Sequence, residues 1–170
     1  MARQPGRLTL TEDDRRILAG WAADCAERTL PLFELQAPAD TRPRDAIDGL
    51  RAFARGELKV GSARALSAAA HAAARNVADP AAVAAARAAG QAAAVAHMAA
   101  HARGVAYAAI AVGLAAPDDA GATATEIRWQ LDHATPVVRA VLRRLPAPPR
   151  AAGALGTLVR QIHEDVTRRA

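Results

Sequence analysis

Asp79-Pro80-Ala81-Ala82-Val83-Ala84-Ala85-Ala86-Arg87-Ala88-Ala89-Gly90-Gln91-Ala92-Ala93-Ala94-Val95-Ala96-His97-Met98-Ala99-Ala100-His101 is the stretch that decides the fold. Asp79 is a good N-cap, because its carboxylate can accept from the free amides of a first helical turn. Pro80 suits the first helical position, where no amide hydrogen is needed. Alanine leads the helix-propensity scale, and the run lacks the β-branched alternation of a strand. The pattern predicts a helix from Pro80 to about Ala115, interrupted only by Gly90, Gly104 and Gly113.

Similar signals recur on both sides. Thr11 with Asp14 resembles a capping box and opens a helix from Glu12 to about Thr29, bent or restarted at Pro31, with a short turn over Leu32–Gln36. Pro43 suits the first turn of a helix ending near Gly56, and a further one runs from Gly61-Ser62 to about Ala78. After the turn Pro117–Gly121, Thr123 or Thr125 is expected to cap a helix through Trp129 to His133. Thr135-Pro136 starts another, ending near Leu145. Pro146-Ala147-Pro148-Pro149 is a stiff linker to a last helix over about Ala151–Arg168, with Leu155, Leu158, Val159, Ile162 and Val166 on one stripe. The expected fold is all-α: a compact Ala-rich bundle of six or seven helices plus a C-terminal helix. Residues 1–10 would be a tail, 11–145 the domain, and 146–170 the linker and amphipathic helix.

Composition narrows the class. Of 170 residues 49 are alanine, only 3% are aromatic, and there is one cysteine, so disorder and a disulfide scaffold are both excluded. No apolar run is long enough to span a membrane, and the opening MARQPGR lacks the apolar stretch of a signal peptide, which together favour the cytoplasm. The formal charge is +5, with seven arginines in residues 131–170 (Arg139, Arg143, Arg144, Arg150, Arg160, Arg168 and Arg169), read as a solvated basic tail. Zinc-finger spacing, a basic stripe interleaved with aromatics and an RNA-binding signature are all missing, which argues against nucleic acid.

Against this plain background a few polar residues stand out. On a helical wheel Asp24 and Arg28 fall within the apolar stripe of Ile17, Leu18, Trp21, Cys25 and Leu32. Buried charges need partners, so the two are expected to pair with each other or with another helix, or to wall a polar pocket. Cys25 reads as a small core residue. His97 and His101, four apart, would share a helix face with Val83, Gly90, Ala94, Gly104, Ala108 and Val112. They are the one candidate metal pair, although no third ligand is fixed by spacing. His71 lies near Arg64 and Arg75 and would complete a polar site with Asp24, Arg28, His97 and His101 if its helix is central. Glu27, Arg42, Arg44 and Arg75 are secondary candidates.

The string Trp21-Ala-Ala-Asp24-Cys25-Ala-Glu27, then Leu30-Pro31-Leu32-Phe33-Glu34, Pro38-Ala-Asp40-Thr-Arg42-Pro43-Arg44-Asp-Ala46-Ile47 and Ala54-Arg55-Gly56-Glu57-Leu58-Lys59-Val60-Gly61, resembles the Imm-5-like family. So do Ala70-His71, Ala74-Arg75, Ala88-Ala89-Gly90, Ala96-His97-Met-Ala-Ala100-His101-Ala102 and Arg128-Trp129-Gln130, giving coverage of about residues 10–145. The resemblance implies an all-helical bacterial immunity protein of a polymorphic toxin system, whose partner would be a toxin protein. The family pattern carries a histidine after Ala-Ala-Gly, where this chain has Gln91, and the tail after Pro146 lies outside it. Two other classes stay open on the residues alone. One is a small helical enzyme or a small-molecule or metal-binding protein using the Asp/His pocket. The other is a homo-oligomer, a dimer for instance, paired through the C-terminal helix, from which residues 150–170 could be deleted to leave a folded monomer.

Overall fold

A computed structural model describes residues 10–168. Its helices are α1 (Glu12–Glu27), α2 (Leu30–Gln36), α3 (Arg42–Ala54), α4 (Val60–Ala73), α5 (Pro80–Ala94), α6 (Ala106–Ala115), α7 (Ala122–His133), α8 (Pro136–Arg143) and α9 (Gly153–Arg168), with a 3₁₀ segment at Ala99–Val105. Among the described residues there is no strand, and no helix is long and apolar enough to cross a membrane. The expected N-terminal tail, apart from Leu10, lies outside the described residues, as does Arg169. Leu10 itself is buried in the core.

The caps explain where several helices begin. Thr11 Oγ1 accepts from the Asp14 amide at 3.1 Å while Asp14 Oδ2 accepts from the Thr11 amide at 2.9 Å, completing the capping box. Asp79 Oδ2 accepts from the Ala82 amide at 2.8 Å, and Thr135 Oγ1 from the Val138 amide at 3.3 Å. Neither Thr123 nor Thr125 caps α7; Gly121 stands there instead. The Thr123 hydroxyl is used elsewhere, packed against Gly113 of α6 in the space a β-carbon would fill.

α5 is the axis of the molecule. It packs against α1, α2, α3, α4, α6 and the 3₁₀ segment, and it is buried nearly all round. A helix apolar on every side belongs in a core. Its alanines let neighbours approach closely, and those neighbours supply the large side chains: Leu18, Leu30, Phe33, Ile47, Leu50 and Phe53 are fully buried.

The Ala-rich segment is not one helix. Unbroken from 80 to 115 it would be about 54 Å long, far beyond the ~15 Å radius of gyration of a domain this size. Instead the chain leaves α5 through tightened turns at Val95, Ala96 and His97, and Met98 is extended at φ −150° and ψ 109°. The 3₁₀ segment then leads into α6, which packs back on α5. Folding back buries two small-residue faces against each other, a gain that one long helix forgoes. α4 also ends at Ala73 rather than near Ala78.

The C-terminal stripe is covered by the chain's own body. α9 packs on α6, α7, α8 and the 3₁₀ segment, with Ile162 and Val166 buried in the main core and Leu155, Leu158 and Val159 half-buried against it. The basic C-terminal stretch is partly structural as well. Arg144 reaches Asp14 at 2.7 Å, Arg139 donates to Leu131 O at 2.8 Å, and Arg143 to Val166 O at 3.2 Å.

Candidate functional site

The residues singled out from sequence fall into two groups. Asp24 and Arg28 lie at the C-terminal end of α1, against α3 and α7. His71, His97 and His101 lie where α4, α5 and the turn before the 3₁₀ segment meet.

The first group corrects the wheel. Arg28 caps α1 in helical conformation at φ −56° and ψ −29°, but this end of α1 reaches the surface, so its side chain is 41% exposed and that of Asp24 40% exposed. They do not pair with each other. Arg28 clamps Glu126 of α7, with Nε donating to both carboxylate oxygens at 3.1 and 3.0 Å and Nη2 donating to Oε2 at 3.0 Å. The Glu126 side chain is only 2% exposed, so this pair holds a charge that water cannot reach. Asp24 Oδ1 accepts from Arg51 of α3 at 2.9 Å, and its Oδ2 lies 3.0 Å from His133 Nε2 at the end of α7. Arg51 also grips Glu27 at 2.6 and 3.0 Å. Those hydrogen bonds hold the Glu27 carboxyl below its usual range and push the Arg51 guanidinium higher.

The outward consequence is an ordered stack. The Arg28 guanidinium lies 3.8 Å over the Trp129 ring, and Trp129 stacks on His133 at 4.6 Å and 13°. Both ends are fixed, Arg28 by buried Glu126 and His133 by Asp24. α7 itself is anchored inside: Trp21 Nε1 donates to Gln130 O at 2.8 Å and Gln130 Nε2 to Val105 O at 3.1 Å. Sequence reasoning missed Arg51, Glu126 and His133. The signal was present, since Glu126, Trp129, Gln130 and His133 follow the i, i+3, i+4, i+7 spacing of one helix face.

The second group is brought together by a turn rather than by helical spacing. His97 precedes Met98 outside any helix and His101 lies in the 3₁₀ segment, yet their rings are 5.2 Å apart. His101 Nδ1 lies 2.7 Å from Gln91 Oε1. His71 lays its ring across Gly90, where a β-carbon would come within 2.7–2.8 Å of three ring atoms. Ser67 Oγ donates to Gly90 O at 2.8 Å, locking α4 to α5 at this level. The Nδ1 atoms of His71 and His97 are buried without a partner. Burial, reinforced by nearby positive charge, holds all three imidazoles below the ordinary histidine range. Among the described residues no three His, Cys, Asp or Glu side chains are placed to hold a metal ion.

The secondary candidates are ion-paired or hydrogen-bonded locally. Arg42 pairs with Asp40 at 2.5 Å, Arg44 with Glu34 of α2 at 2.6 Å, and Arg75 Nη1 donates to His71 O at 3.3 Å. Cys25 is a buried free thiol, pushed up by burial and then by the Glu126 and Asp24 charges, which fits a core residue and not a nucleophile. A groove of about 510 Å³ between α6 and α9 is lined by Ile110, Leu114 and Leu158 and lies at neither group.

Residues 8–137 match the family model described as "Imm-5 like putative immunity protein". No curated protein and no solved structure matches.

Proposed function

The chain belongs to the family described as "Imm-5 like putative immunity protein", and from that premise we propose that it neutralises a toxin protein by binding it through the surface where α1, α3 and α7 meet. The observation that supports this reading is the Arg28–Trp129–His133 stack, half-exposed and fixed at one end by the Arg28–Glu126 ion pair and at the other by the His133–Asp24 hydrogen bond. Arginine and tryptophan dominate protein–protein hot spots, because each offers a large contact area with a directional polar group. Holding them in place beforehand lowers the ordering cost of association. In a chain with two tryptophans, one is spent inside, on Gln130, and the other is set in this stack.

The charge of this surface selects a kind of partner. Asp24, Glu27 and Glu126 face Arg28 and Arg51, so the carboxylates are largely internally neutralised. The chain as a whole carries +5. An inhibitor of a strongly basic nuclease would present an acidic face to complement the phosphate-binding surface. The partner that fits here is a toxin domain whose contact surface is apolar with a few carboxylates, able to meet Trp129 and the free edge of Arg28.

Co-expression with candidate toxin domains cloned from the gene neighbourhood tests this. The chain should restore growth, and Trp129→Ala should abolish protection while leaving the circular dichroism spectrum intact. Unimpaired protection by W129A and H133A variants would remove this surface from the reading.

A further inference from the structure

Most guanidiniums on α1–α3 are matched to carboxylates: Arg16, Arg28, Arg42, Arg44, Arg51 and Arg55 all are. The arginines around the three histidines are different. On α4 the register puts Arg64, Ser67 and His71 on one face, which meets Arg87, Gly90 and Gln91 on α5 through the Ser67 and His71 contacts with Gly90, while Arg75 in the turn after α4 and Arg15 of α1 add positive charge nearby. His101 feels only the other two imidazoles. Among the described residues no carboxylate pairs with or hydrogen-bonds to any of the three imidazoles. Arg15 is held by neutral carbonyls, its Nε on Ala96 O at 2.8 Å and Nη1 on Leu10 O at 3.0 Å, and Arg75 by the His71 carbonyl. Among the described residues neither Arg64 nor Arg87 has a carboxylate partner.

The imidazoles themselves are set and partly unsatisfied. Ser67, Gly90 and Gln91 fix His71 and His101, while two buried Nδ1 atoms lack any protein partner. Buried polar atoms are nearly always paired, so two orphans in one cluster call for an explanation. Arginines and proton-accepting imidazoles gathered on two facing helices without a carboxylate among them have a natural complement, a small oxyanion.

We propose that His71, His97 and His101, with Arg64 and Arg87, form a binding site for the phosphate group of a small phosphorylated molecule. The site lies on α4, α5 and the turn after α5, separate from the α1–α3–α7 surface, and so does not depend on the toxin-binding reading. The arginines supply permanent charge. The histidines are neutral in the empty protein and take up protons as the dianion arrives, so binding consumes protons.

The probes are inorganic phosphate, sulfate and adenosine monophosphate, with chloride at matched ionic strength as the control. At about tenfold excess over Kd, phosphate should raise Tm by about 3 °C more than chloride does. Sulfate, whose own charge is constant, should bind about tenfold tighter per pH unit for each proton taken up between about pH 7.5 and pH 6. Imidazole resonances of His97 and His101 should move in the same titration. Arg64→Gln, at an exposed position, should weaken phosphate about tenfold with the spectrum unchanged, and Arg87→Gln by a similar factor. Tighter binding of the nucleotide than of phosphate assigns the ligand to nucleotides, whereas equal binding assigns it to the bare phosphate group; either supports the site. Stabilisation no greater than chloride gives, imidazole resonances that stay still, or an R64Q chain that binds like the parent would overturn it.

Discussion

Removing Arg28 should damage the protein more than the loss of a half-exposed arginine normally does. The reason is what it leaves behind. Glu126 has a side chain 2% exposed, and Arg28 gives it three of its four hydrogen bonds, at 3.0–3.1 Å; the remaining one is Gln130 Nε2 at 3.3 Å. Breaking a fully buried pair costs about 3–5 kcal/mol. Arg28 is 41% exposed, so its share of the attraction is screened and the figure drops to ~2–3 kcal/mol. The lost contact with Trp129 adds about 0.5–1 kcal/mol. Arg28→Ala should therefore lower stability by roughly 3 kcal/mol and Tm by about 6–12 °C. Glu126→Gln keeps an acceptor under the guanidinium and removes the buried charge, so it should cost about 1 kcal/mol. The decisive chain is R28A/E126Q, which has no stranded carboxylate and should be at least ~1 kcal/mol more stable than R28A alone. Urea unfolding followed by far-UV circular dichroism measures all three. An R28A chain within about 0.5 kcal/mol of the parent, or a double variant less stable than R28A, would refute the reasoning.

Three further outcomes follow from the same contacts. His71, His97, His101 and His163 are all held below the ordinary histidine range, chiefly by burial, so the unfolded chain binds more protons than the folded one. Stability should be full above about pH 6.5 and fall on acidification, by about 1.4 kcal/mol per pH unit for each histidine involved; thermal melts across pH check this, and a flat profile would contradict it. Gly104→Ala would push a β-carbon into the Gln91 side chain that reaches His101, and should cost about 1–3 kcal/mol in a denaturant titration. Deleting residues 150–170 removes Ile162 and Val166 from the core, a loss of about 3–6 kcal/mol. It also strips buried Arg103 of its His163 neighbour. The shortened chain should bind a hydrophobic dye and lose cooperative unfolding, in contrast to the folded monomer expected if α9 served only to pair copies.

The helices were legible because alanine, proline and capping residues act locally. Thr11, Asp79 and Thr135 each cap the helix they announced. The break after α5 was not legible, because nothing near His97 forbids a helix; the gain comes from folding α6 back on α5, which only the assembled core supplies. Thr123 illustrates the same limit, since its hydroxyl is claimed by packing on Gly113 and not by the amides it could have capped. For the sites, spacing found His97 and His101 by the wrong route, a helix face where the chain makes a turn. The partners of Asp24 and Arg28 lie 27 to 109 residues away, at Arg51, Glu126 and His133. Helix packing alone decides such pairings. The cue that could be read was the Glu126–Trp129–His133 face on α7.

Under the proposed function, the toxin docks where α1, α3 and α7 meet. Hydrogen–deuterium exchange on the chain alone and in complex with a toxin that it neutralises in co-expression measures this directly. Protection on binding should concentrate at the end of α1 around residues 24–28 and along the second half of α7 to His133, with the His71–His97–His101 region unchanged. Protection confined to other surfaces, with these two segments exchanging as in the free protein, would contradict it.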